Sequence, residues 1–366
     1  MPFCKRKCLY CDFYSVIYDD KLAGRYVDIL LRQIDDLPGE LSTIYIGGGT
    51  PTVLENSLIE RLLDRLQPRL NKTGEFTIEA NPESLDEEKI NLFLDKGVNR
   101  LSIGVQSLDD RKLQNLGRMH NSRAALDAVA LATKRGLKNI NIDLIFGVWG
   151  EDPKRWKKEV SQAARLPITH VSCYSLTYEK STPLFLAVKN KSIIPLEDEI
   201  VAGMYETAID ILALGGFKQY EMSNFASTGF ECRHNLNCWE NNPYTGLGAS
   251  AASYVDGVRS KNVSDVTEYI RRAGEGRSLA ESSEKLSPVK RAKETAAVKI
   301  RTKEGIDFAA FREKTGFDFL ELEKKALPGL IDQGLVKYKK DRDAVIGVVL
   351  KRKGFLFCDT VSSALL

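Results

Sequence analysis

Residues 42–216 alternate between short apolar runs and longer stretches of helical periodicity, and no other feature limits the fold as strongly. The runs "STIYIGGG" (42–49), "EFTIEANP" (75–82), "NRLSIGVQS" (99–107), "NINIDLIFG" (139–147) and "HVSCYSLTYE" (170–179) have the length and composition of strands. Between them lie helix-like segments at 57–70, 85–97, 122–136 and 153–165, and a longer one at 197–216 follows the last. Ser122 is placed to cap the third helix, with Gly136 as its stop. A parallel strand pair needs a crossover, and a helix supplies it, so regular alternation means βα units and a parallel sheet. At least five such units, most without a G-x-G-x-x-G turn, suit a TIM-like barrel or partial barrel better than a Rossmann sheet.

The texture changes near residue 264. The stretch to 341 is charged and helical, and "LIDQGLVKYKKDRDAVIGVVLKRKG" (330–354) predicts a helix followed by a short β-hairpin, as in a winged helix. The expected organisation is a core barrel over 1–220, a connecting segment over 221–263 and a small, mostly helical domain over 264–366. Hydrophobic residues make up 43% of the 366, enough for a sizeable core, and the net charge is only +3. A dedicated nucleic-acid binder is normally more basic, so that class is set aside. No apolar run approaches the roughly 18 residues of a membrane span. Residues 1–15 are cysteine-rich and basic rather than signal-peptide-like, which predicts a reducing, cytoplasmic setting. The basic stretch containing Lys285, Lys290, Arg291, Lys293 and Lys299 is expected to be a solvated helix face.

The chain opens "MPFCKRKCLYCDFYS", placing Cys4, Cys8 and Cys11, three of seven cysteines, within eight residues. Clustered thiolates in a reducing compartment select iron–sulfur clusters, zinc or Cu(I). Structural zinc takes four ligands, usually as two pairs, and here no second pair exists. A four-iron cluster held by three cysteines leaves one iron open to another ligand. The cluster is therefore preferred over zinc completed by a distant residue. In a parallel barrel, functional side chains gather at the carboxyl ends of the strands. Those ends carry Gly47–Thr50, Glu79, Gln106 and Asp143, with Arg118 just beyond the third strand. Glu79 and Asp143 are carboxylates in otherwise apolar runs, a costly arrangement unless they are paired or hold a ligand. Arg118 has the chemistry to hold a carboxylate.

These motifs together resemble a known family. "CKRKCLYC", "GGGTPT", "IEANPE", "RLSIGVQS" and "NIDLIFG" look like the radical S-adenosylmethionine (SAM) superfamily. "VSCYSLTYEKSTPL", "YEMSNFA", "CRHNLNCWE" and "KETAAVKIRTKEGIDFAAF" extend the likeness over nearly the whole chain. They point to the branch of oxygen-independent coproporphyrinogen III oxidase and the heme chaperone HemW. The resemblance implies a partial (β/α)6 radical SAM barrel with a HemN-like, winged-helix-like C-terminal domain. It implies that Cys4, Cys8 and Cys11 hold a [4Fe–4S] cluster whose open iron binds SAM. It places Gly48, Gly49, Thr50, Glu79, Gln106, Arg118 and Asp143 on SAM. Tyr10 has two roles open to it, packing beside the cofactor or filling the core.

Within the branch two readings compete. One is an oxidase that decarboxylates coproporphyrinogen III, and the other is a chaperone that carries heme to client hemoproteins. The oxidase pattern has a fourth cysteine where this chain has Phe13, which favours the chaperone. "HNLNCW" (234–239) resembles the chaperone's HNxxYW motif with Cys238 in place of the tyrosine. His234 is then the candidate heme ligand and Trp239 its packing partner, with Cys232 or Cys238 as alternative ligands. The implied partners are heme, a client hemoprotein and an electron donor such as a flavodoxin or ferredoxin. Relatives carry an apolar strand just before "PFC", whereas Met1 and Pro2 stand there in this chain. The first barrel strand is therefore expected to be missing and the cluster loop less well anchored. An organelle address in a preceding segment stays open. Relatives also carry a histidine near Ala252. Cys173 and Cys358 are expected to be buried as small apolar residues, and His120 and His170 have no motif support.

Overall fold

A computed structural model describes residues 1–37 and 39–366. Its main sheet has seven strands in the spatial order Leu41–Ile46, Leu70–Ala80, Arg100–Gln106, Asn139–Phe146, His170–Ser175, Asn224–Ala226 and Lys218–Gln219. The first five are parallel and joined by helices; Asn224–Ala226 pairs antiparallel with the fifth, and Lys218–Gln219 pairs antiparallel with Asn224–Ala226. This is the partial barrel expected, with the strand at 41–46 as one edge. The sheet continues past residue 220, because 218–219 and 224–226 add to the strand at 170–175.

Side chains alternate cleanly across this sheet. Ile44, Phe76, Ile78, Leu101, Ile103, Ile140, Ile142, Leu144 and Val171 face outward and are buried beneath the helices. Tyr45, Glu79, Arg100, Ser102, Asn141, Asp143 and Ser172 face inward around a cavity. The period of two that separates these sets is the strand's own geometry. Apolar residues hold the sheet to its helices, leaving a polar interior available for a ligand. Trp156 shows the strength of the outer layer. It is fully buried, packs at a tilt against Phe146 with centroids 5.5 Å apart, and donates its indole N–H to the Met204 carbonyl at 2.8 Å.

The helix predicted at 122–136 runs Ser122–Lys134, but Ser122 is not its cap. Asn121 takes that position: its side-chain oxygen accepts from the Ala124 N–H at 2.9 Å, while the Ser122 N–H is held by Asp110. An Asn in extended backbone offers its oxygen one residue earlier, which leaves Ser122 in the first turn.

An antiparallel sheet of Ala252–Val255, Val258–Asn262 and Ala280–Lys285 lies where the sequence suggested connector and helix. These strands are short and strongly polar, so no apolar alternation marks them. Helix Val266–Gly274 packs on helix Asp20–Asp35, where the Tyr269 hydroxyl donates to Gln33 at 2.5 Å and Ala249 N–H donates to Tyr26. Farther on, helix Ala326–Asp332 is followed by the hairpin Val336–Asp341 and Ala344–Leu350, as the sequence predicts. The basic stretch is not uniformly solvated: Lys299 pairs with Glu240 and Glu304, and Lys293 with Glu323. Cys173 and Cys358 are buried as expected. No described helix is long and apolar enough to cross a membrane.

Candidate functional site

A cavity of about 460 Å³ occupies the barrel interior at the carboxyl ends of the strands. Its wall brings together Cys4, Cys8, Tyr10, Cys11, Gly48, Gly49, Thr50, Glu79, Gln106, Arg118 and Asp143. The cysteine loop is tied to the rim from both sides. Thr50 Oγ1 donates to Cys4 Sγ at 3.5 Å, and an Arg118 Nη donates to Cys8 Sγ at 3.5 Å. Phe3–Cys4 pairs in parallel with Val16–Ile17, closing the loop at its base. Thr50 N–H also donates to the Phe3 carbonyl at 2.8 Å.

The glycines after the first strand serve this packing. Gly48 has φ +110°, which a side chain would strain. A Cβ on Gly49 would lie 2.7 Å from the Phe3 carbonyl oxygen. The Gly-Gly pair thus admits the cysteine-bearing segment, and also leaves backbone open to the cavity. Gln106 ends its strand at φ +63°, where the register with the neighbouring strand shifts. Such a conformation in a non-glycine residue costs about 1–3 kcal/mol and is held by its surroundings.

Those surroundings are a buried ionic clamp. Glu159 accepts from Ser107 Oγ at 2.5 Å and Leu108 N–H at 2.6 Å, directly after Gln106. Lys112 Nζ bridges Glu159 at 3.0 Å and Glu151 at 2.6 Å, and lies over the Trp156 ring. All three charged side chains are nearly inaccessible to solvent. Lys112 lies on helix Asp110–Leu116, which leads directly into Gly117 and Arg118.

Two carboxylates define the polar wall. Glu79 accepts from the Tyr45 hydroxyl at 2.7 Å and Gly48 N–H at 3.2 Å. Asp143 accepts from Asn141 at 2.9 Å and Ser102 at 3.4 Å. Burial raises both pKa values, and the hydrogen bonds only partly offset it. Carboxylates in this state gain from a ligand that brings positive charge or hydroxyl and amino donors. Arg118 is bound to Asn81 at 2.5 Å and the Gly104 carbonyl at 3.0 Å, with its Nε buried and unpartnered among the described residues. Tyr10 lines the cavity and packs beside Leu116, Ile145, Leu176 and Leu184.

Helix Arg233–Trp239 carries the HNLNCW motif against the inner face of the first two strands. Glu75 holds its start, accepting from the Arg233 and His234 N–H groups at 3.0 Å each and from Cys232 Sγ at 3.4 Å. His234 Nδ1 meets Thr43 Oγ1 at 3.1 Å, and its ring stacks on Tyr45 with centroids 5.1 Å apart. Asn235, rather than His234 or Trp239, reaches the cavity wall. The indole N–H of Trp239 is buried without a partner among the described residues. Burial pushes the Cys232 thiol up to about 12, so it is no ready thiolate ligand, and burial raises Cys238 as it raises Cys11 of the loop. His120 and His170 have both ring nitrogens engaged, the first by Glu83 and the Val105 carbonyl, the second by Asn141 and Tyr220.

Comparisons with known proteins agree with this geometry. Residues 1–162 match the Radical SAM superfamily and residues 286–357 the HemN C-terminal domain. The "Heme chaperone HemW" of Lactococcus lactis is 37% identical over 347 residues, covering 93% of this chain and 90% of that protein. That of Bacillus subtilis is 32% identical over 375 residues, covering 100% and 97%. The chain belongs to the radical SAM superfamily, in the HemN-like branch close to HemW. The solved radical SAM enzyme coproporphyrinogen III oxidase (HemN) of Escherichia coli shares the fold, with a TM-score of 0.85, 20% identity and coverage of 100% of this chain and 88% of that one.

Membership of the radical SAM superfamily implies a [4Fe–4S] cluster and SAM. The donor set fits. Cys4, Cys8 and Cys11 are free, half-buried thiols on one loop facing the cavity. Among the described residues no three His, Cys, Asp or Glu side chains converge on a point that a single metal ion would fill. Three thiols on one loop suit a four-iron cluster with one iron left open to another ligand. Bound together, cluster and SAM supply one-electron chemistry, while the chain binds, orients and excludes water.

Several cavity residues have no role in the sequence reading, although all but Tyr45 lie inside its motifs: Tyr45, Asn81, Arg100, Ser102, Asn141, Ser172 and Asn235. Five of these lie on strands, and four of the five are two residues from a rim residue or in lateral register with one, while Arg100 lies six before Gln106 on the same face. Inward parity was the signal that could have found them.

Proposed function

We propose that this chain is a heme chaperone of the HemW type, binding heme and delivering it to client hemoproteins, with a [4Fe–4S] cluster and SAM in the barrel. The observation that carries the reading is identity of 32–37% to proteins named heme chaperone HemW over 93–100% of the chain. Phe13 in place of a fourth cysteine and the HNLNCW motif support it from within the chain. Cys4, Cys8 and Cys11 hold the cluster. Gly48, Gly49, Thr50, Glu79, Gln106, Arg118 and Asp143, with Tyr10 beside them, hold SAM. Tyr45 and Gly48 N–H fix Glu79, and Asn141 and Ser102 fix Asp143, so both carboxylates meet SAM in set orientations. His234 supplies the heme nitrogen ligand and Trp239 packs against the macrocycle. Thr43 occupies Nδ1, which leaves Nε2 for iron. An electron donor and a client hemoprotein complete the system.

The test uses anaerobically reconstituted protein. Heme is titrated and its Soret band followed in the wild type and in His234→Ala, while a parallel sample receives reductant, SAM and coproporphyrinogen III. The expected result is saturable heme binding, a changed Soret spectrum in His234→Ala and no protoporphyrinogen by mass spectrometry. Efficient porphyrinogen turnover would replace the chaperone reading with the oxidase.

A further inference from the structure

Arg100 is a charged side chain with nothing assigned to it. It is 2% exposed, lines the cavity, and its Nε has no hydrogen-bond partner among the described residues. Buried guanidinium groups are normally satisfied by carboxylates or carbonyls, so an orphan of this kind asks for an explanation. Its register explains where it works. Tyr45, Thr77 and Arg100 are lateral partners across the first three strands. Adjacent strands lie about 4.8 Å apart, so Tyr45 and Arg100 are about 10 Å apart across the sheet. Thr77 between them is fully buried, and its hydroxyl is also unpartnered among the described residues. At the other end of the row, the Tyr45 ring stacks on His234.

A single row therefore runs from the heme-motif histidine to an unsatisfied cation inside the barrel. Arg118 is spoken for by Asn81, the Gly104 carbonyl and Cys8 at the rim. Among the described residues Arg100 has no such side-chain partners. Glu75 balances its charge from nearby but spends its oxygens on Cys232 and on the N–H groups of Arg233 and His234.

We propose that Arg100 is the carboxylate-binding residue at the inner end of the cavity, and that it receives a propionate of the tetrapyrrole whose iron His234 holds. The assignment rests on the heme-chaperone reading. A planar guanidinium pairs with a carboxylate through two parallel hydrogen bonds, which adds orientation to affinity. Such a pair would fix the tetrapyrrole edge-on to the SAM site and select dicarboxylate porphyrins over capped ones.

The experiment titrates reconstituted wild-type protein, Arg100→Gln and Arg100→Lys with hemin and with hemin dimethyl ester, followed at the Soret band. SAM affinity is measured on the same samples by equilibrium dialysis. Wild type is expected to prefer the free acid by about 10-fold or more, the range of a charge-assisted pair. Arg100→Gln should reduce that preference to below about 3-fold, and Arg100→Lys should restore part of it. The Soret position set by His234 and the SAM affinity should stay the same. Equal binding of acid and ester by wild type overturns the proposal without using a variant, so a misfolded Arg100→Gln cannot rescue it. An unchanged preference in a folded Arg100→Gln also overturns it. A selective loss of SAM affinity reassigns Arg100 to the carboxylate of SAM. If wild type binds neither form of heme, the chaperone reading itself falls. If it binds both equally well with a His234-dependent spectrum, only the Arg100 assignment falls.

Discussion

Tyr45 is the residue on which two functions meet. Its hydroxyl fixes Glu79 in the proposed SAM site, and its ring supports His234 of the proposed heme motif. Tyr45→Phe removes one charge-assisted hydrogen bond and keeps the stacking face, so it should weaken SAM binding about 10-fold while leaving the fold intact. Equilibrium dialysis with labelled SAM measures this, and an unchanged affinity would detach Glu79 from SAM. The cysteines divide just as sharply. Cys232 is fully buried with a pKa pushed up to about 12, whereas Cys4, Cys8 and Cys11 face the cavity. In cluster-free protein at pH 8, iodoacetamide should label the three cavity cysteines and spare Cys232 until denaturant is added. Peptide mapping reads the outcome, and equal labelling rates would contradict the burial.

At the scale of elements, the clamp of Glu151, Lys112 and Glu159 links the turn after Gln106 to the helix that leads to Arg118. Lys112→Met leaves two carboxylates buried without a cation and should cost about 3–5 kcal/mol in urea unfolding. Adding Glu151→Gln and Glu159→Gln should recover most of that, because the loss lies in the uncompensated charge. A single variant as stable as the wild type would show that the clamp carries no such strain. Helix starts offer a finer check. Asn121→Ala should cost about 1 kcal/mol, and Ser122→Ala close to none, as measured by thermal unfolding. Most element types and limits could be read in the sequence, because apolar runs of strand length alternate with amphipathic helices between residues 41 and 214. The cap could not, since Asn121 and Ser122 are both good caps and only backbone geometry chooses between them. The sheet at 252–285 was also hidden, because its strands are polar and its pairing is non-local.

At the scale of the whole molecule, the barrel reverses the usual TIM arrangement by filling its interior with polar groups. His170 shows a consequence. Burial, with the nearby Arg100 charge, holds its pKa well below the ordinary value of about 6.5. In the window between the folded and unfolded values the unfolded chain binds the extra proton, so stability rises with pH there and falls as pH drops below about 6.5. Urea unfolding between pH 7 and pH 5 should show the wild type losing up to about 1.4 kcal/mol per pH unit more than His170→Gln. Parallel pH profiles would mean that His170 is not buried neutral.

The sequence by itself determined the parallel barrel, the cysteine loop and the ring of rim residues. Those properties follow from local periodicity and from spacing along the chain, which are one-dimensional. Only the tertiary structure decided which polar residues share the cavity, that Arg100 and Thr77 lie unsatisfied in one row with Tyr45, and that Glu75 anchors the heme-motif helix. Those contacts join strands and a helix far apart in the chain. Lateral register and burial set them, and neither is written in the order of residues along one segment.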